Sequence, residues 1–334
     1  MKSGALAASF FLICAGGYAQ TERAKASPGA DVAMTYYSQG MRALERDDLR
    51  GARAAFEMAV HLAPRSPEAH NSLGWVMLAA GETDAAIAEF QETIRLKPDF
   101  AQAHMNLSSA FLRKGDKREA VRESREAARL APKDSETHHI LGRALSYAGD
   151  DNGAAQELKH AIELEPKRAE LHDDLGSILV QQGQNAEAAA EFSEAAKLQP
   201  RFASAHLHLG VLRLEQKDAD AAESELRAAA SLEPANSLAH FYLGEALESK
   251  GESDKALQEL QAAAKLDPGN ADAEKHLGIL LQRSGNGEDA VAEFEKAVKI
   301  RPDSADAHND LGLALLQMGD AENAIREFQT SLKL

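Results

Sequence analysis

Residues 67–98 read PEAHNSLGWVMLAAGETDAAIAEFQETIRLKP, and the chain that follows repeats their pattern. Prolines stand at Pro64, Pro98, Pro132, Pro166, Pro200, Pro234, Pro268 and Pro302, each 34 residues after the last, with no insertion or deletion between them. A fixed period of this length marks stacked supersecondary units, none of which can bury its apolar face alone. With Pro67 as the first place of its unit, the chain divides into nine units starting at residues 33, 67, 101, 135, 169, 203, 237, 271 and 305.

Within a unit the eighth place is Gly in all but one case, as at Gly74 and Gly278, with Ser108 the exception. The twentieth place is Ala throughout, from Ala52 to Ala324. Small residues at both places let two helices approach closely. Large apolar residues fill the intervals at helical spacing, as at Leu73, Met77, Phe90 and Leu96. The fifteenth place is a Gly at Gly81, Gly115, Gly149, Gly183, Gly251, Gly285 and Gly319, suited to the left-handed residue that ends a helix. Thr83-Asp84 and Ser253-Asp254 then offer caps for the next helix. Each unit reads helix, turn, helix, proline-marked turn. Helices of about 13 residues are marginal alone, so neighbours must cover their apolar faces.

Leu73-Gly74, Ala86, Phe90 and Pro98 resemble the tetratricopeptide repeat pattern, and equivalent matches run through residues 33–334. The resemblance implies an all-α fold, a right-handed superhelical solenoid of antiparallel helix pairs. It also implies that first helices line a concave groove and that the activity is protein or peptide binding. Departures from the pattern are informative. Where the family often has Trp, at the fourth place, this chain has Tyr36, His70, His104, His138, His172, His206, His240, Glu274 and His308. Equivalent side chains of successive units lie about a helix diameter apart, roughly 10 Å, whereas ligands of one ion approach it to about 2 Å. The histidines are therefore expected to pack or cap, and no metal site is expected. Arg213 and Lys217 break the pattern in the sixth unit, which is expected to be locally looser. The last unit stops at Leu334 before its proline. Its outer face either takes a partner or a second copy through the C-terminal repeat, or is polar enough through Glu327, Gln329 and Lys333 to face water.

Residues that line the groove in the family vary here from unit to unit. Tyr37, Met41, Asn71 and Trp75 make an apolar region near the start, and Leu207, Val211, Leu214, Leu238, Phe241 and Tyr242 make a second one in units six and seven. Asn106, His139, Arg143, Asp173 and Asp174 lie between them. Exposed aromatics can anchor a partner while polar groups fix its register. On this reading, removing the Phe241 and Leu207 side chains weakens partner capture and leaves helical content unchanged.

The formal charge of −16 disfavours nucleic acid and anionic lipid, since phosphate binders gain affinity from Lys and Arg. No HExxH, paired CxxC, P-loop or Gly-x-Ser-x-Gly pattern appears, and the repeats leave no length for a catalytic domain, so no enzyme and no cofactor are expected. The opening MKSGALAASFFLICAGGYAQ combines Lys2, an apolar run and a Gly17-Tyr18-Ala19 site, which reads as an export signal cleaved after Ala19. The run is too short to span a bilayer. A polar, flexible lead is expected over 20–32 and the repeat array over 33–334. Together these features describe a non-catalytic scaffold exported to the envelope, periplasmic or secreted, holding a protein or extended peptide in its groove. The alternative is a regulatory subunit of an envelope enzyme complex for glycan processing or glycosyl transfer.

Overall fold

The computed structural model describes residues 28–334. The segment read as an export signal and the start of the lead lie outside the described residues. Among the described residues there are eighteen α-helices and no strand. They form two compact units, one ending at Lys167 and one beginning at Arg168.

The first unit holds α1 (Pro28–Glu45), α2 (Leu49–Leu62), α3 (Pro67–Ala79), α4 (Thr83–Leu96), α5 (Ala101–Lys114), α6 (Lys117–Leu130), α7 (Ser135–Ala148) and α8 (Asp151–Leu164). The second holds α9 (Ala169–Gln181), α10 (Asn185–Leu198), α11 (Ala203–Glu215), α12 (Ala219–Leu232), α13 (Ser237–Ser249), α14 (Ser253–Leu266), α15 (Ala271–Arg283), α16 (Gly287–Ile300), α17 (Ala305–Gln317) and α18 (Ala321–Ser331). Each odd-numbered helix packs against the even-numbered helix that follows it across a short turn. The backbone of α1 takes in Pro28 to Val32, which the sequence assigned to a flexible lead. Proline is tolerated there because the first helical turn has no intrahelical partner for its N–H groups.

The close approach within a pair follows from the eighth and twentieth places. The alanines at the twentieth place, from Ala52 to Ala324, are completely buried. A Cβ added at Gly74 would lie 2.7 Å from the Phe90 ring, so the ring fills the space that glycine leaves. In the third repeat Ser108 stands in for this glycine, and its hydroxyl donates to the Ala120 carbonyl at 2.9 Å. There the opposing residue is the small Ser124 rather than Phe or Leu.

The turns show one difference from expectation. Thr83 and Ser253 are the first residues of their helices, preceded by Glu82 and Glu252, whose side chains make no capping bond. Where the preceding residue is Asp, as at Asp48, Asp116, Asp150, Asp218 and Asp320, the shorter carboxylate accepts from the amide three residues on. Glutamate is one methylene too long for that geometry.

The fourth-place histidines act as clamps. Nδ1 of His70, His104, His138, His172, His206, His240 and His308 lies 2.5–2.7 Å from the glutamate nineteen residues on, on the second helix of the pair. For His70, His104, His138, His206, His240 and His308, Nε2 faces the carbonyl of the preceding proline at 3.0–3.2 Å. At His70 and His104 carboxylate and carbonyl both accept, so a ring donating to both carries two N–H protons and a positive charge. Burial pulls the pKa of His70 and His104 down, yet the bonds to Glu89 or Glu123 and to the proline carbonyl outweigh it and hold both above the ordinary value. Glu274 replaces this histidine in the eighth repeat while its partner position keeps Glu293. Burial, then the neighbouring Glu293 carboxylate, push Glu274 up to about 7. Its Oε2 is buried without a hydrogen-bond partner.

Candidate binding face

The first helices carry the candidate site, and the fifth and sixth places on them do something the sequence did not reveal. In the first unit Ser72 Oγ donates to the Tyr37 hydroxyl at 3.3 Å, and Asn106 Nδ2 donates to Asn71 Oδ1 at 3.0 Å. In the second unit His208 Nδ1 bonds Asp173 Oδ1 at 2.8 Å, and the Phe241 and His276 rings meet edge to face at 5.5 Å. Each of these contacts links the fifth place of one repeat to the sixth of the next, thirty-five residues on. The two places form a seam that ties neighbouring first helices together.

This seam changes the reading of the predicted groove residues. Tyr37, Asn71, Asn106, His139, Asp173, Leu207 and Phe241 are buried, and so do not present free anchors. Tyr37 packs its ring 5.5 Å from Phe56, and Asn71 keeps its Nδ2 buried without a partner. Leu207 and Phe241 belong to the apolar core of the second unit. The physical reason is rotation: adjacent pairs turn these places toward the neighbouring helix, where their size fills the gap. Met41 and Trp75 are half-buried against the first core, and Asp174 is half-buried. Arg143 is exposed.

What stays open in the second unit is the surface made by the second, ninth and twelfth places, with the sixth-place Tyr242 at its edge. Leu238 is 47% exposed. Val211, Leu214 and Tyr242 are half-buried at the edge of the core. Acidic groups border this apolar patch. Glu245 Oε1 and Glu248 Oε2 each lie 3.5 Å from a ring nitrogen of His276, and Arg283 Nη1 bonds Glu248 Oε1 at 2.6 Å. The bond to His276, helped by Arg283, holds Glu248 below the usual carboxylate range. Burial pushes Glu245 above that range, with Glu248 and Asp272 adding to it and His276 opposing. Burial likewise raises Asp310, and it raises the Tyr242 hydroxyl with Glu245 and Glu215 adding to the effect. The face thus holds half-buried carboxyl groups whose charged forms lack full solvation.

No group of three or more metal-ligating side chains gathers anywhere among the described residues. No described helix is long and apolar enough to cross a membrane.

Models of the tetratricopeptide repeat match residues 37–99, 78–135, 173–232 and 213–271, and further repeat models match 283–319 and 305–334. The chain belongs to the tetratricopeptide repeat family. No curated protein sequence matches it. Among solved structures, the Cut9–Hcn1 hetero-tetramer of the APC/C aligns with a TM-score of 0.63 at 16% identity, covering 84% of this chain and 55% of that one. The chain therefore spans little more than half the length of that relative. The pilF protein of Pseudomonas aeruginosa aligns with a TM-score of 0.58 at 18% identity, covering 65% of this chain and 97% of that one. At these identities the likeness is one of tetratricopeptide fold.

Sequence reasoning missed Glu245, Glu248, His276 and Asp310. Part of the signal was available, since Glu245 and Glu248 are the only acidic residues at the ninth and twelfth places, whereas His276 and Asp310 share their residue type with His208 and Asp174 at the sixth place. Their importance depends on which apolar neighbours are half-buried beside them, and that requires the packed structure.

Proposed function

We propose that this tetratricopeptide chain is a non-catalytic scaffold, exported to the cell envelope, that holds an extended peptide segment of a partner protein on the first-helix face of its second unit. One observation carries the choice of face: Leu238, Tyr242, Val211 and Leu214 offer apolar contact on the face that also carries Glu245, whose ionised form burial disfavours and whose charge acts on the Tyr242 hydroxyl. A Lys or Arg on the bound segment relieves that penalty, and a flanking aliphatic or aromatic side chain covers Leu238. The preferred segment therefore mixes basic and apolar residues. Family membership supports the protein-binding role; the apolar run after Lys2 and the Gly17-Tyr18-Ala19 site support export.

The test is binding of a peptide array to the chain from Gln20 onward. Peptides containing Lys or Arg next to Leu or Phe are expected to bind, and Leu238→Asp with Glu245→Gln is expected to abolish that binding while the helical circular dichroism is unchanged. Equal capture by the double variant would remove this face from consideration. For export, N-terminal sequencing of the mature protein is expected to begin at Gln20; an intact Met1 terminus on protein retained in the cytoplasm would refute it.

A further inference from the structure

The helix α6, KREAVRESREAARL, carries five basic and three acidic residues in a chain whose formal charge is −16. Of the other second helices only α2, with Arg50 and Arg53 against Glu57, carries more basic than acidic residues, and none carries as many basic residues as α6. Arg118, Arg122, Arg125 and Arg129 are all exposed, and their spacing of four, three and four places them in one line along the helix. They border an open groove of about 740 Å³, whose wall also includes Lys117, Val121 and Ala148 from the end of α7.

The four guanidiniums are not equivalent. Arg122 is held by Glu119 and by Glu123, its Nη2 lying 2.6 Å from Glu123 Oε1. Arg129 is forked onto Glu126, with Nε to Oε2 at 2.9 Å and Nη2 to Oε1 at 2.5 Å. Arg118 and Arg125 make no ion pair or hydrogen bond with any described residue, and both reach into the groove wall. Lys117 lies over the ring of Tyr147, 4.8 Å from its centroid, and that ring is 45% exposed. Intramolecular carboxylates therefore neutralise alternate cations and leave two forks unpaired, seven residues or about 10 Å apart along the helix.

We propose that this groove is a second docking surface, separate from the first-helix face, and that it takes a short acidic peptide in extended form. In the polyproline II form of an extended chain, with three residues per turn and about 3.1 Å per residue, carboxylates three residues apart share one face and stand about 9 Å apart, which matches the two unpaired guanidiniums. Each guanidinium can receive a carboxylate through two parallel N–H bonds. Tyr147 gives an apolar side chain of the peptide a surface to cover. The interleaved Glu119, Glu123 and Glu126 favour a peptide over a nucleic-acid strand, because a continuous row of phosphates would meet them between the arginines, and the overall negative charge repels a polyanion at longer range.

The experiment is fluorescence anisotropy with the full chain and a labelled nonapeptide bearing glutamate at every third position. The glutamine version of that peptide and a dodecathymidylate serve as competing probes. Binding of the glutamate peptide is expected, with no binding of the glutamine version. Arg118→Ala with Arg125→Ala is expected to weaken it about tenfold, in keeping with two partly exposed ion pairs. Lys265→Ala with Lys299→Ala, which removes two exposed cations elsewhere, is expected to leave affinity unchanged, as is Leu238→Asp on the first-helix face. Since neither arginine has an internal partner, both double variants should melt as the wild type does. Undiminished binding by the arginine variant, an equal loss in the lysine variant, or tighter binding of dodecathymidylate than of the glutamate peptide would each overturn the assignment.

Discussion

Phe241 and Leu238 lie three residues apart on α13, yet the structure gives them opposite roles. Phe241 is 7% exposed and meets the Tyr242 and His276 rings edge to face, while Leu238 stands 47% exposed. Removing a buried aromatic ring loses its transfer free energy and leaves a cavity, so Phe241→Ala is expected to cost about 3 kcal/mol. Leu238→Ala, with much of its surface already in water, is expected to cost under about 1 kcal/mol. Urea denaturation of the two variants checks this, and equal midpoints would contradict the burial. The pair also shows how much of the site was legible. Both residues refuse to repeat, and that property drew attention to α13. Which of them faces the neighbouring helix depends on how one pair is rotated against the next, and no single repeat contains that angle.

At the scale of an element, the turn between helices was legible down to the residue. The glycines of the fifteenth place take φ between +73° and +88°. The two positions where that glycine is replaced, Asp47 and Lys217, adopt the same left-handed backbone at φ 57° and 62°. The sequence predicted a looser sixth repeat from Lys217, and the strain is located there: a Cβ in the left-handed region costs roughly 1–2 kcal/mol, which glycine avoids. The exposed Lys217 side chain makes no hydrogen bond or ion pair with any described residue. Lys217→Gly is therefore expected to stabilise the second unit by about 1 kcal/mol, seen as a higher melting temperature, whereas Gly251→Lys, the reverse change at an equivalent turn, is expected to lower it. The histidine clamp was less legible, although its parts were in plain view. The glutamate nineteen residues after each clamp histidine, such as Glu123 after His104, recurs with the same period; in the first repeat, which has Tyr36, that place holds Ala55. Seeing the pair required asking which two places vary together across the turn.

The clamps recur through the whole molecule, and two of them, His70 and His104, tie its stability to pH. In a repeat array stability is close to a sum of local terms, and each clamp contributes its own. His70 and His104 are held above their ordinary value of 6.5, so the stability they add is fully present below about that pH and is lost as pH rises through their folded values. Glu274, pushed from 4.5 up to about 7, acts in the same direction: the folded state binds its proton more tightly than the unfolded chain does, and that advantage disappears between about pH 4.5 and 7. Other carboxylates oppose them at the acid end. Glu123 is held below its ordinary value despite burial, by its bonds to His104 and Arg122, and Glu248 is held low by His276, so both lose their contribution as pH falls through their folded values. The melting temperature is therefore expected to peak on the mildly acidic side of neutrality and to fall by several degrees toward pH 8.5. Glu274→His removes the raised carboxyl, for an expected gain on the order of 2 kcal/mol at pH 8, and the restored clamp to Glu293 is expected to raise the melting temperature at pH 5 as well. His104→Gln keeps one donor but cannot carry the charge, and is expected to flatten the alkaline fall. Thermal melts of the three proteins across this range decide the matter: a wild-type melting temperature that rises steadily from pH 6 to 8.5 would show that the clamp rings are neutral and that the pairs do not hold their protons.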